Sequence, residues 1–572
     1  MSALRPQRAR GAPAYFADEQ AAAAELARLS WQERNPAAFA EAESSDSDDS
    51  DIEEGPEEDE ERKAGDERPA VFPWRTEWTA IEQLAFVPPR ALRTRSPAGD
   101  SPLDFFHLFL PNSYLESMTD LTNEYAEAAR AGGEENAAAA AAPRQWQAAS
   151  AEEMKALLGC IIYMGIVNIN ATRDYWAELT RQSFVADCFP RERFLVLLRC
   201  LRVGDEAPGA DERLRKLQQL ISTLEGTLLR YFYPGQHVCV DEVMVGFKGR
   251  NQMVQYIANK ASPTGFKVWV LVDSATNYVA AFDVFTGRKG REKESGAAGK
   301  VVKNLLNRLQ QHCFHAVTMD NFFSSIQLFE ELLELGFYAM GTTRHNRKHF
   351  PTKLLEEIEE KQRGDSVWRQ KKDSPLVAIS WKDKKPVNFL STCTNPEKSE
   401  SVKRWINGER KEVPCPEVVP LYIQHMRGAD VFAQRQSYNK IGRRSRKWFY
   451  SLLWFMVDVA IHNAYILFQQ KHSKQHYDEK AFRKELMQLL VAGFSARGKS
   501  STTKKRPRDS LHVLERRSRR GDCVQCRRQL ISGQHGRRSF FACVDCNVFL
   551  CVPNCYNKHV QSLTAEALTD EL

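Results

Sequence analysis

The stretch HVCVDEVMVGFKGR, residues 237–250, decides how the rest of the chain reads. Val238-Cys239-Val240 is an apolar run of the kind that forms a buried strand. It ends in the acidic pair Asp241-Glu242, and Lys248-Gly249-Arg250 follows soon after. A carboxylate at the rim of a buried strand with cations beside it admits two readings. One is a salt-bridged strand end; the other is a metal site that handles phosphate.

Outward from this stretch the texture is α/β. FKVWVLVD (266–273) and YVAAFDVFTG (278–287), joined by SATN, predict a hairpin. VVKNLLNRLQQH predicts an amphipathic helix, FHAVTMD a strand, FFSSIQLFEELLELG a helix ending at Gly336, and FYAMGTTR a further strand. Three strands, helix, strand, helix, strand is the pattern of a mixed sheet with helices. Asp320 ends the later strand as Asp241 ends the first. Strand ends in such sheets are where functional groups gather. If the two strands are neighbours, the carboxylates converge, and Asp430 in MRGADVFAQ could add a third from a helix. Three carboxylates can hold two Mg²⁺ ions about 3.5–4 Å apart. Taken singly, each aspartate also reads as a cap or turn residue, and Asp273 reads as the latter.

Before this block, residues 101–234 show helical spacing in segments such as SAEEMKALLGCIIYMGIV and RLRKLQQLISTLEGTLLRYF. Residues 1–100 are poor in apolar content and carry thirteen acidic and no basic residues between Glu41 and Glu61, which predicts disorder. Residues 345–417 read as an insertion with short strands of its own, and YIQHMRGADVFAQRQSYNKIGRRSRKWFYSLLWFMVDVAIHNAYILF after it as helical and strongly basic in the middle. WFYSLLWFMVDVAIHNAYILF contains Asp458, His462 and Asn463, so it reads as a buried core helix rather than a membrane span. The N-terminus lacks the apolar core of a secretory signal.

Six of the thirteen cysteines fall in the last fifty residues, and without an export signal such clustering favours metal over disulfides. CVQC (523–526) and CVDC (543–546) are two CxxC pairs, followed by Cys551, Cys555 and His559. That spacing predicts two tetrahedral Zn²⁺ ions in a cross-brace. Cys543, Cys546, Cys555 and His559 would share one ion. Cys523, Cys526 and Cys551 would share the other, with His535 as candidate fourth ligand. Basic residues near the carboxylates, Lys260, Lys267, Arg344, Arg347, Arg443, Arg444, Arg446 and Lys447, suit a polyanion such as DNA, although a charge run also serves as a solvated face. KKRPR, residues 504–508, reads as a nuclear localisation signal.

VCVDEVMVGFKGR, NKASPTGFKVWVLVDSATNYV, VTMDNFFSS, GTTRHNR, WKDKKPVNFLST, MRGADVFAQ and RRSRKWFYSLLWFMVDVAIHNAYILF occur in that order. Together they resemble the piggyBac transposase family over roughly residues 100–560. The resemblance implies an RNase H-like catalytic core whose metal triad falls on Asp241, Asp320 and Asp430. It implies DNA cutting and joining with Mg²⁺ or Mn²⁺, terminal inverted repeats as substrate, TTAA as target, and a Cys-rich domain that binds the repeats. Where the family often has a further Asp three residues after the third acid, this chain has Ala433 followed by Gln434.

The expected organisation is a disordered region 1–100, a helical dimerisation and DNA-binding region split between 101–234 and 441–496, and a catalytic core split between 235–344 and 418–440. The β-rich insertion 345–417, a basic linker 497–520 and the zinc-binding domain 521–560 complete it. The expected function is a nuclear, dimeric, cut-and-paste DNA transposase with no membrane association. The alternatives are a transposase-derived DNA- or chromatin-binding protein without cutting activity, which Ala433 favours, and a zinc-bearing interaction factor akin to RING proteins.

Overall fold

The computed structural model describes residues 74–89, 97, 99–131, 146–204, 212–258, 260, 262–287, 296–442, 445, 447–473, 476–496, 514–528, 537–543, 546–552 and 554–559. The acidic run, the KKRPR signal, His535, Arg443, Arg444 and Arg446 lie outside the described residues. The chain divides into two units, residues 1–496 and 497–572.

In the first unit the apolar runs form strands that pair into one large sheet. Its strands are β1 (Trp74–Arg75), β2 (His237–Gly246), β3 (Val254–Tyr256), β4 (Thr264–Asp273), β5 (Val279–Val284), β6 (Ala316–Met319), β7 (Tyr338–Thr342), β8 (Ser366–Lys371), β9 (Val377–Lys382) and β10 (Pro386–Ser391). The order is β1-β8-β9-β10-β7-β6-β2-β4-β3, with β5 also on β4. β2 and β4 are antiparallel, whereas β6 runs parallel to both β2 and β7. All four residues of β6 are buried, as expected of a central strand covered on both faces.

The principal helices are α1 (Asn112–Ala131), α2 (Ala151–Ile166), α3 (Arg191–Cys200), α4 (Gln218–Tyr231), α5 (Ala297–Leu306), α6 (Ile326–Glu334), α7 (Val418–Met426), α8 (Gly428–Tyr438), α9 (Phe449–His472) and α10 (Glu479–Val491). α9 is the one helix among the described residues long and apolar enough to cross a membrane, and it lies inside the core. Its polar residues are satisfied there. Asn463 pairs with the backbone of Val279 through Oδ1 (3.0 Å) and Nδ2 (2.8 Å). Asp458 accepts from Arg483 Nη1 at 2.7 Å, Arg483 Nη2 donates to Glu479 at 2.7 Å, and the other Glu479 oxygen lies 3.0 Å from His462 Nδ1. All four are nearly inaccessible to solvent, so this is a buried charge network, which also reaches the backbone carbonyls of Asn277 through His462 and Asn439 through Arg483.

Two expectations change. Residues 74–89, placed in a disordered region, instead lie as a strap along the sheet. Trp74 and Arg75 pair with β8, Phe86 packs on the His315 ring at 4.8 Å, and the Val87 amide donates to Cys313 O at 3.1 Å. Trp74, Trp78 and Phe86 give this stretch apolar anchors that the acidic run lacks. In the segment 345–417, β10 pairs antiparallel with β7, so β8, β9 and β10 widen the main sheet. Only the ribbon β11 (Ser399–Ile406) with β12 (Glu409–Pro416) forms a sheet apart.

The second unit is small. β13 (Leu514–Asp522), β14 (Arg538–Cys543) and β15 (Val548–Phe549) form a three-stranded sheet, and its buried cluster is Cys523, Cys543 and Leu550.

Candidate active site and metal centres

Register brings the first two carboxylates together. β2 and β6 run parallel with Val240 opposite Met319, so the next residues, Asp241 and Asp320, emerge side by side. Backbone amides fix both. Asp241 Oδ1 accepts from the Glu242 N–H at 2.7 Å, and Asp320 Oδ1 accepts from the Phe322 N–H at 3.1 Å. Oxygens of Asp241, Glu242 and Asp320 all lie within 4.8 Å of one another. Glu242 joins although it alternates with Asp241 along the strand. β6 stops at Met319, which leaves β2 without that neighbour from position 241 onward.

Asp430 comes from the first turn of α8. Gly428 seats that helix: a Cβ there would stand 2.9 Å from Cys239 Sγ and 3.0 Å from Val272 Cγ1. Cys239 shares a face of β2 with Asp241, so the close approach brings the first turn of α8, with Asp430, to the face of β2 that carries Asp241. Asp430 is solvent-exposed and outside the tight group of three. Its charge nonetheless acts on Asp241. Ala433, one turn on, is partly buried against the core.

The electrostatics of this rim disfavour ionised carboxylates. Burial holds the Asp241 carboxyl well above its usual range, with Lys260 opposing and Glu242, Asp320 and Asp430 adding to the rise. Burial, then Glu242, pushes Asp320 up to about 6. Asp430 keeps its surface open to solvent, yet the protein packed around it also raises its carboxyl, against Lys260 and Arg427. A crowd of carboxylates in a desolvated pocket takes cations, and its all-oxygen donor set suits Mg²⁺ or Mn²⁺.

The basic residues take up varied places. Lys260 Nζ lies 3.1 Å from Glu242 Oε1, and Lys267 Nζ lies 3.7 Å from Oε2 and 4.4 Å over the Phe322 ring. Both are therefore tied to the carboxylate group. Arg347 donates to the carbonyls of Asn321 (2.8 Å) and Phe322 (2.6 Å), and so holds the loop that follows Asp320. Arg344 is partly buried just beyond β7. Lys447 donates to Arg199 O at the end of α3. Trp448 packs on Phe266. Asp273 is the turn residue expected, accepting from the amides of Gly235 and Thr276.

In the second unit the ligands fall into two sets, Cys523, Cys526, Cys551 and Cys555, and Cys543, Cys546 and His559. Cys555 thus belongs with the first CxxC pair, not the second. The i, i+4 steps 551–555 and 555–559 are equivalent in sequence, so spacing could not choose between them. Tertiary contacts do: the Cys551 amide donates to Cys523 Sγ at 3.3 Å, and Cys526 Sγ lies 3.5 Å from Cys555 Sγ. Along the chain the sets still alternate as in a cross-brace. Although burial raises it, Cys523 is brought down to about 7 by hydrogen bonds from the Cys526 and Cys551 amides and from neighbouring thiols. Four sulfurs at one point suit a soft cation such as Zn²⁺.

Glu242 and the buried Asp458–Arg483–Glu479–His462 network escaped the sequence reading. The signal for the network was present, as charged letters inside an apolar run. Glu242 is visible only as half of the acidic pair, and a side chain that alternates with Asp241 along a strand gives no local sign that the two converge.

The chain thus pairs a mixed α/β sheet that carries carboxylates at the ends of adjacent parallel strands with a separate cysteine-rich unit. The family model described as Transposase IS4 matches residues 101–465, and the chain belongs to this family, in its piggyBac-type branch. It is 25% identical over 504 residues to piggyBac transposable element-derived protein 3 of Homo sapiens, covering 83% of this chain and 80% of that protein. With the human piggyBac transposable element-derived protein 2 it shares 24% identity over 452 residues, covering 75% of this chain and 73% of that one. Its fold is similar to the piggyBac transposase in a synaptic complex with hairpin DNA seen by cryo-electron microscopy. The TM-score is 0.61 at 24% identity, over 73% of this chain and 85% of that one.

Proposed function

We propose that this chain is a cut-and-paste DNA transposase that excises DNA at terminal inverted repeats and joins it at TTAA. Asp241, Asp320 and Asp430 would hold its divalent ions. The observation that carries this reading is the Val240–Met319 register, which sets Asp241 beside Asp320 at the end of two parallel strands. The strand order β5-β4-β2-β6-β7, antiparallel through the first three and parallel through the last two, supports an RNase H-like core. Bound divalent ions would supply activation of the attacking oxygen and charge stabilisation of the leaving one at phosphorus. Asp241 and Asp320 contribute ligands fixed by their own backbone, Gly428 sets the depth of Asp430, and Arg347 steadies the loop after Asp320. The cysteine-rich unit, carrying two Zn²⁺, would grip the repeats, and we place the protein in the nucleus as a homodimer.

Excision from a donor plasmid bearing matching inverted repeats tests this. Asp320→Ala is expected to abolish excision while keeping DNA binding; excision at the level of the unaltered chain would overturn the assignment. Ala433 favours a second reading, a DNA-binding protein descended from a transposase. Binding without excision by the unaltered chain would select it.

A further inference from the structure

We infer that Glu242 is a fourth carboxylate ligand of the divalent-cation site, and that Lys260 is the built-in cation it exchanges for the metal. This rests on the reading of Asp241, Asp320 and Asp430 as that site. Of the four acids, it is Glu242 rather than Asp430 that completes the tight group with Asp241 and Asp320. Its side chain is only 10% exposed. Its Oε2 is buried and no hydrogen-bond donor reaches it; Lys267 stands off at 3.7 Å. A carboxylate oxygen that has left water without gaining a donor is costly unless a cation sits against it. Oε1 has such a cation, the Lys260 ammonium at 3.1 Å, and Oε2 is the open valence.

Charge counting points the same way. Asp241, Glu242, Asp320 and Asp430 bring four negative charges when ionised, and Lys260, Lys267 and Arg427, which acts on Asp430, bring three positive ones. Once Lys260 withdraws the difference is two, the charge of one divalent ion. A second ion would leave the pocket positive, which suits an incoming phosphodiester. Lys260 sits on a flexible four-carbon stem, so it can withdraw as the metal arrives. Lys267, packed over Phe322 and 13% exposed, holds the far side of Glu242 in place.

The test is Mn²⁺ titration of the zinc-loaded full chain, with free Mn²⁺ read by electron paramagnetic resonance and no DNA present. Glu242→Gln is expected to weaken binding on the order of tenfold or more, since ligand charge sets affinity for hard cations. Lys260→Met is expected to tighten it several-fold by removing the competitor. Wild-type affinity in Glu242→Gln, or weaker binding in Lys260→Met, would overturn the inference and leave Glu242 as a salt-bridge partner only. Should Glu242→Gln not fold, Lys260→Met decides alone. Asp320→Asn separates the two levels: wild-type Mn²⁺ binding in that variant would remove the metal-site reading itself, whereas loss there with no effect at Glu242 would remove only this inference.

Discussion

The two units hold their candidate metal ligands in opposite ways. In the first, the carboxylates ride on a framework that exists without them: a strand register, a helix seated by Gly428, and a core running through most of residues 105–491. In the second, the ligands are the framework. Two of the three residues in its buried cluster, Cys523 and Cys543, are themselves candidate ligands. A metal in the first unit would act on substrate; in the second it would supply the folding free energy that so small a core cannot.

The contrast can be broken most forcefully by removing metal. Chelation of zinc is expected to unfold the second unit, since structural zinc contributes on the order of 10–16 kcal/mol. The main thermal transition of the first unit should not move. Limited proteolysis beside calorimetry would show this; a coincident loss of both units would erase the distinction. Next, the framework of the first unit should fail by another route. Arg483→Met would leave Asp458 and Glu479 buried without their cation and is expected to cost about 3–5 kcal/mol in chemical denaturation. A loss below about 1 kcal/mol would mean that Arg483 is not what balances the two buried carboxylates.

A smaller effect follows from the His237–His425 stack, whose rings lie 3.8 Å apart at 4°. Burial, then His237, pushes His425 down to about 4 from an ordinary 6.5. The unfolded chain therefore binds more protons between those values. Stability falls as pH drops from about 6.5 to about 4, by up to about 3 kcal/mol for this group. Denaturation curves at pH 7 and 4.5 should diverge less in His425→Phe than in the unaltered chain. Smallest of all, Gly428→Ala should cost about 1–3 kcal/mol as its methyl meets Cys239 and Val272. It should depress excision out of proportion to that loss, because Asp430 moves with α8. Equal losses in stability and excision would detach the seat of α8 from the chemistry.

What the sequence made legible was what local pattern controls. Apolar runs ending in Asp241 and Asp320 located two strands and two ligands, and CxxC pairs located the second unit. Long-range pairing was not legible. Nothing in SPLVAISW or KPVNFLSTC says that these strands join β7 instead of one another alone. Cys551–Cys555–His559 offers the same step twice, and the contacts with Cys523 and Cys526 choose. Lys260 and Lys267 were readable as cations, but their common attachment to Glu242 depends on where β6 stops. Only the resemblance marks Ala433 as standing where the family often has an Asp, and the residue packs partly buried against the core.

The strap has a practical consequence. Gln370 is fully enclosed, and its amide exchanges hydrogen bonds with the main chain of Thr79, at 2.9 Å and 3.0 Å. A fragment trimmed to the family boundary at residue 101 would strip that lining away. It would uncover the edge of β8 and leave the Gln370 amide only Ser374 O of its present partners, inviting the shortened protein to pair with its own copies.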